Sequence, residues 1–171
     1  MKPMNILLTG RPGIGKSTVI RRIALELGKE RAGGFWSSEI RKGGRRVGFS
    51  LETTFGKIGT LAHVDLAEGP TMGKYKINLH DIDTIAVSSM TQARESGMII
   101  IIDEIAAMEL FSPSFAPEVF RCLDTGRVLG TIQMKSRPIL NSIRERNDVT
   151  LIEVTFSNRE VLHREVLSMM P

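Results

Sequence analysis

Two hydrophobic periods share this chain. Met4 to Thr9 is an almost continuous apolar run, the pattern of a strand covered on both faces of a parallel sheet. From about Thr18 the period becomes helical: Val19, Ile20, Ile23, Ala24 and Leu27 share one face, Arg21, Arg22 and Glu26 lie opposite, and Gly28 is a stop. Phe35 to Arg41 and Arg46 to Thr54 read as a hairpin around Lys42-Gly43-Gly44-Arg45. Gly56-Lys57-Ile58-Gly59 is a second turn before a strand from Thr60 to Val64, and Gly69 to Lys74 is a loop before a strand from Tyr75 to Leu79. Ile82, Ile85, Ala86, Ser89, Met90 and Ala93 then mark one face of a helix from Asp81 to Glu95. Ile99 to Ile102, four β-branched residues in a row, mark a fully buried central strand. A helix from Ser114 to Asp124, a strand from Arg127 to Gln133, a helix from Pro138 to Arg146 and a strand from Thr150 to Thr155 follow. A C-terminal helix starts at Asn158, with Ser157 or Asn158 as its N-cap. The alternation predicts an α/β fold, a mainly parallel central sheet flanked by helices. Residues 1–171 are expected to form one domain, with an antiparallel hairpin extension at about 33–65.

Composition narrows the class. Apolar content of 42% and charged content of 25% suit a globular protein, and no apolar run reaches the length of a membrane span. The N-terminus enters a strand at once and lacks a signal-peptide pattern. Cys122 is the only cysteine, which excludes an internal disulfide, fits a cytoplasmic setting and is read as a small buried thiol. The net charge of +4 suits a polyanionic nucleotide as well as nucleic acid, and composition does not separate the two.

The chemistry concentrates in two places. Gly10-Arg11-Pro12-Gly13-Ile14-Gly15-Lys16-Ser17, followed by Thr18, lies between the first strand and the first helix. Its glycines let successive amide N–H groups point inward at a helix N-terminus, which makes an anion cradle. Lys16 is placed to reach the β- and γ-phosphates of a nucleoside triphosphate, and the Ser17 hydroxyl to sit on Mg²⁺. The second place is the end of the buried strand Ile100-Ile101-Ile102, where Asp103 and Glu104 stand side by side. Adjacent carboxylates there are costly unless a cation uses them. Asp103 is the candidate metal ligand opposite Ser17, and Glu104 the candidate base for an attacking water. The distance in sequence from loop to acids suits P-loop proteins with another strand between the two. Arg144, Arg146, Arg159 and the Arg41, Arg45, Arg46 group are candidates to meet phosphoryl charge. His63, His80 and His163 are scattered without metal-ligand spacing, and Phe35, Trp36 and Phe49 favour core packing over base stacking.

Gly10 to Ser17, the segment Gly34 to Phe49, and Asp103-Glu104-Ile105 with Met108-Glu109-Leu110 together resemble one family. It is the small P-loop nucleoside-triphosphatases first described from thermophiles, which includes the cancer-related nucleoside-triphosphatase. Gly73-Lys74-Tyr75, Phe111-Ser112, Gly130-Thr131-Ile132, Ile143-Arg144, Asp148-Val149 and Asn158-Arg159 extend the resemblance over essentially the whole chain. The resemblance implies a RecA-like domain that slowly hydrolyses ATP, GTP, CTP and UTP to diphosphate and phosphate with Mg²⁺. The family's phosphate loop maps onto Arg11 to Thr18 and its acidic strand onto Ile99 to Ala106. Where the family reads Gly-Lys, this chain has Ala106-Ala107, which removes a cation beside the acids and puts the rate of hydrolysis, rather than nucleotide binding, at issue. Two other functions stay open at this point. One is a small kinase acting on a nucleotide, polynucleotide or metabolite; the other is a nucleotide-dependent switch on nucleic acid, suggested by the basic hairpin.

Overall fold

A computed structural model describes residues 4–170; residues 1–3, where the N-terminal stretch without a signal-peptide pattern begins, and Pro171 lie outside the described residues. The strands are β1 (Asn5–Thr9), β2 (Ala32–Lys42), β3 (Arg45–Thr53), β4 (Ile58–His63), β5 (Thr71–Met72), β6 (Tyr75–Ile77), β7 (Ile99–Ile105), β8 (Val128–Ile132) and β9 (Val149–Glu153). The helices are α1 (Lys16–Leu27), α2 (Leu79–Asp81), α3 (Ser88–Glu95), α4 (Phe115–Asp124), α5 (Pro138–Arg144) and α6 (Leu162–Met169). A π-helical stretch, Ile82–Val87, joins α2 to α3, and a 3₁₀ turn, Glu109–Phe111, follows β7.

All strands join one sheet in the order β5-β6-β4-β3-β2-β7-β8-β1-β9. The five strands β2, β7, β8, β1 and β9 pair in parallel, and β8 stands between the loop strand β1 and the acidic strand β7, as the sequence spacing predicts. Alternate residues of the buried strands face opposite layers. Leu7, Ile100 and Ile102 pack with Phe35, Met90 and Phe115 under α3 and α4. Ile6, Leu8 and Ile101 pack with Ile20, Ile23 and Val166 under α1 and α6. Both faces are covered, so these strands read as unbroken apolar runs.

The hairpin is built into the core sheet, not hung on its edge. The first half of β2, Ala32 to Trp36, pairs in parallel with Ile99 to Asp103 of β7. From Phe35 onward β2 also pairs antiparallel with β3, and Gly43 and Gly44 turn the hairpin with φ of 57° and 75°. β2 is therefore both the neighbour of the acidic strand β7 and the first arm of the hairpin.

Several boundaries differ from the sequence pattern. β4 begins at Ile58 because the turn closes earlier: Thr53 N donates to Lys57 O, and Lys57 N donates to Thr53 Oγ1. The loop from Gly69 to Lys74 contains β5, too short to carry a period. The helical run predicted from Asp81 starts at Leu79, where the Asn78 side chain accepts from Asp81 N at 3.0 Å. Neither Ser157 nor Asn158 caps α6, which begins at Leu162. Asn158 instead accepts from Thr155 N and donates to Glu153 O, each at 2.8 Å, so its amide stabilises a turn in place of a helix start. Cys122 is a buried α4 thiol whose pKa burial pushes up to about 12.

Candidate active site

β1 delivers the chain into Gly10, and α1 starts at Lys16 with Gly15 as its N-cap. Gly10, Gly13 and Gly15 take φ of 146°, 77° and 115°, conformations that a side chain would strain, and these curl the loop. Lys16 Nζ donates to the carbonyls of Gly10 at 2.9 Å and Arg11 at 3.1 Å. The ammonium is thus held against the loop that frames the anion cradle. Arg11 itself is exposed, and the Ile14 side chain anchors the loop in the core.

The two halves of the predicted site meet. Ser17 Oγ donates to Asp103 Oδ1 at 3.0 Å, across 86 positions of sequence. Thr131 Oγ1, from the end of β8, donates to the same oxygen at 2.7 Å. Asp103 Oδ2 is buried and without a partner. Burial raises the Asp103 pKa, opposed by hydrogen bonds from Thr131 and Ser17 and by the charges of Arg21 and Lys16. Burial likewise raises Glu104, with Lys16 opposing and Asp103 reinforcing the shift. An orphaned carboxylate oxygen beside a serine hydroxyl at a phosphate cradle fits Mg²⁺, which takes one or two protein oxygens and completes its shell with water and phosphate. The described residues contain no cluster of three or more His, Cys, Asp or Glu side chains that could hold a metal by themselves. Ile100, Ile101 and Ile102 are wholly buried and hold the acids in register without lining the cleft.

A cleft of about 730 Å³ opens on this centre. Gly10, Pro12, Gly13 and Gly15 to Thr18, with Asp103 and Glu104, form one side; Arg21, Ser37, Ser38, Glu39, Arg46 and Phe49 form the far wall. Gln133, Met134 and Lys135 complete it. The candidate arginines separate accordingly. Arg46 lines the cleft, while Arg41 and Arg46 both pair with Glu39, at 2.7 and 3.0 Å. Arg45 is exposed at the hairpin end. Arg146 is engaged by Asp124 and Asp148, and Arg144 binds the carbonyls of Gln133 and Lys135, so it braces the cleft rim from behind. Arg159 donates to Ile14 O at 3.3 Å and stands 4.9 Å over Phe156. It borders a smaller groove of about 210 Å³ with Gly13, Gly15 and Thr18.

His63, His80 and His163 all lie away from the cleft lining. Phe35 is core, whereas Phe49 lines the cleft and Trp36 donates to Glu52 at 3.0 Å with Arg21 stacked over its ring. Sequence reasoning missed Arg21, Thr131 and Glu109 as parts of this centre. Glu109, on the 3₁₀ turn, is buried with Oε2 unpartnered. Burial pushes its pKa up to about 8, its own backbone N–H opposing and Glu104 and Asp103 adding to the rise. The departure at Ala106 and Ala107 is also buried, directly between the acids and Glu109 in sequence.

The profile of the family described as NTPase matches residues 5–167. The chain belongs to this family. "Nucleoside-triphosphatase THEP1" of Thermotoga sp. (strain RQ2) is 42% identical over 98% of this chain and 95% of its own length. "Cancer-related nucleoside-triphosphatase" of Homo sapiens is 34% identical over 96% of this chain and 95% of its own length. The crystal structure of THEP1 from Aquifex aeolicus superposes with a TM-score of 0.87 at 34% identity, covering 98% of this chain and 99% of that one. The NTPase-family assignment makes the chain an enzyme of the nucleoside-triphosphatase class, on a P-loop α/β fold. None of the helices among the described residues is long and apolar enough to cross a membrane.

Proposed function

We propose that this NTPase-family enzyme hydrolyses several nucleoside 5'-triphosphates, in a Mg²⁺-dependent and slow reaction, to the diphosphate and phosphate. The observation that carries this is the contact of Ser17 Oγ with Asp103 Oδ1, beside an unpartnered Asp103 Oδ2 and next to Glu104. Loop amides from Gly13 to Thr18 and Lys16 hold the phosphates, and Ser17 and Asp103 hold Mg²⁺. Bound there, Mg²⁺ supplies charge neutralisation of the β- and γ-phosphate oxygens. Glu104 orients a water and accepts its proton as the water oxygen bonds to Pγ and the bond from Pγ to the β-phosphate oxygen breaks. A raised pKa makes Glu104 a stronger base in its ionised form, and Lys16 favours that form.

Low base discrimination is supported by the smaller groove, where the planar Arg159 guanidinium offers a surface that stacks on any base. Slow turnover is supported by the engagement of Arg144 and Arg146 in other bonds and by alanines at 106 and 107. A single buried cysteine supports a cytoplasmic setting.

Phosphate release from ATP, GTP, CTP and UTP, with and without Mg²⁺, tests the proposal. Release from all four is expected, abolished by Lys16→Ala, with Glu104→Gln reducing kcat by roughly 10²–10⁴-fold. Parent-rate hydrolysis by Lys16→Ala would rule the site out.

A further inference from the structure

The far wall of the cleft is not explained by a nucleoside triphosphate and a water. Ser17, Asp103 and Glu104 mark the γ-phosphate end, because Ser17 and Asp103 would hold the metal that neutralises the transferring phosphoryl group and Glu104 the group that attacks it. The nucleoside then leaves over the smaller groove bordered by Gly13, Gly15, Thr18 and Arg159, whose lining contains neither acid. Beyond the γ-phosphate, the larger cleft continues along Arg21, Ser37, Ser38, Glu39, Arg46 and Phe49.

This wall is built and held. Arg21 Nη2 donates to Ser37 O at 3.1 Å and also to Ser38 Oγ, and the guanidinium lies 5.3 Å over Trp36. Arg46 donates from Nη1 to Glu39 at 3.0 Å and from Nε to Tyr75 at 3.0 Å, with its guanidinium 5.0 Å over Phe49. Each arginine is fixed by part of its fork and keeps other N–H donors for a ligand. Two cations against the single acid Glu39 leave the wall positive, and serine and glutamate oxygens are at hand for hydroxyl groups.

We propose that this wall is an acceptor subsite for a small phosphate monoester bearing a free hydroxyl, which takes the γ-phosphoryl group in place of water. The proposal rests on the triphosphatase reading of the loop and acids. Arg21 and Arg46 bind the monoester phosphate. The acceptor hydroxyl oxygen forms the new bond to Pγ, its proton passes to Glu104, and the bond from Pγ to the β-phosphate oxygen breaks, its electron pair leaving on the nucleoside diphosphate. Hydrolysis is then the same transfer with the acceptor subsite vacant.

Two measurements test this. AMP, UMP and ribose 5-phosphate are titrated calorimetrically into protein saturated with Mg²⁺ and a non-hydrolysable ATP analogue. ADP and inorganic phosphate formation from ATP are then compared with each probe present. Expected are saturable binding to the loaded protein and ADP formation in excess of phosphate release. Arg46→Ala, and separately Arg46→Gln, which keeps more of the side chain over Phe49, should weaken probe binding at least tenfold. Both should leave acceptor-free hydrolysis within about twofold, which also reports that they fold. Tighter binding of AMP and UMP than of ribose 5-phosphate would assign a nucleotide acceptor, and equal binding a sugar-phosphate one; either supports the subsite. Absence of binding, binding unmoved by both variants, or binding with ADP equal to phosphate for every probe would overturn it. Hydrolysis that proceeds while no monoester binds removes the acceptor subsite alone, whereas absent hydrolysis removes the parent reading.

Discussion

Glu109 is a buried carboxylic acid whose Oε2 has no hydrogen-bond partner among the described residues. Its pKa rises from 4.5 to about 8 on folding, so between those values the folded chain keeps a proton that the unfolded chain releases. Stability therefore falls as pH rises from 4.5 to 8, and the loss is complete above 8. Glu109→Gln removes the ionisable group while keeping its shape. Thermal melts should show the variant more stable than the parent at pH 9, by roughly 10–20 °C, and equal to it near pH 4. Thr131 acts on the site through Asp103, whose Oδ1 it shares with Ser17. Thr131→Val should raise the Mg²⁺ concentration for half-activation roughly tenfold or more, read from phosphate release against Mg²⁺. The loop and the acid pair were legible in the sequence because each is a contiguous run with its own chemistry. Thr131, Arg21 and Glu109 were not. Thr131 reaches Asp103 only through the pairing of β7 with β8, and Arg21 looked like one more charge on a solvated helix face until β2 folded against it.

Among the elements, β2 bears the most, since it pairs in parallel with β7 and antiparallel with β3. At Gly34, φ is 137° and a Cβ would stand 2.0 Å from Ile101 O, so β2 and β7 cannot pair as they do with any side chain there. Gly34→Ala should cost at least about 3 kcal/mol in urea unfolding. Gly43→Ala, at φ of 57° with open space around it, should cost only about 1–2 kcal/mol. Phe35, next along β2, meets Phe115 edge to face at 6.2 Å; Phe35→Ala should cost roughly 3–5 kcal/mol. Buried runs such as Ile99 to Ile102 and the stripe of α1 were readable because burial on two faces, or one, writes a period into the sequence. The π-helical stretch Ile82–Val87 left no such trace, since its apolar positions also satisfy an ordinary helical period. The sharing of β2 between two pairing modes was equally hidden, because strand order depends on contacts between residues distant in sequence.

Across the whole molecule, the loop and acids join β1, β7, β8 and α1, so a nucleotide bound there should stabilise the fold as a unit. At 100 times its Kd a non-hydrolysable analogue adds about 2.7 kcal/mol, or roughly 5–10 °C in Tm for a domain of this size. Asp103→Ala should remove the part of that increment that depends on Mg²⁺, measured by thermal shift with and without the metal. The position of β1, between two strands that come late in the chain, has another consequence. The Asn5 side chain bonds Leu123 O and Val128 N at 2.9 and 3.1 Å, and Asp148 O at 3.3 Å, and β1 lies between β8 and β9. On the ribosome, this strand emerges more than a hundred residues before either neighbour exists. At typical elongation rates that is a wait of roughly 6–25 s, during which the β2–β3–β4 meander can assemble while an apolar strand stays unpaired. The nascent chain thus presents an unpaired apolar segment early, and gains a nucleotide pocket only after β7 and β8 have been made.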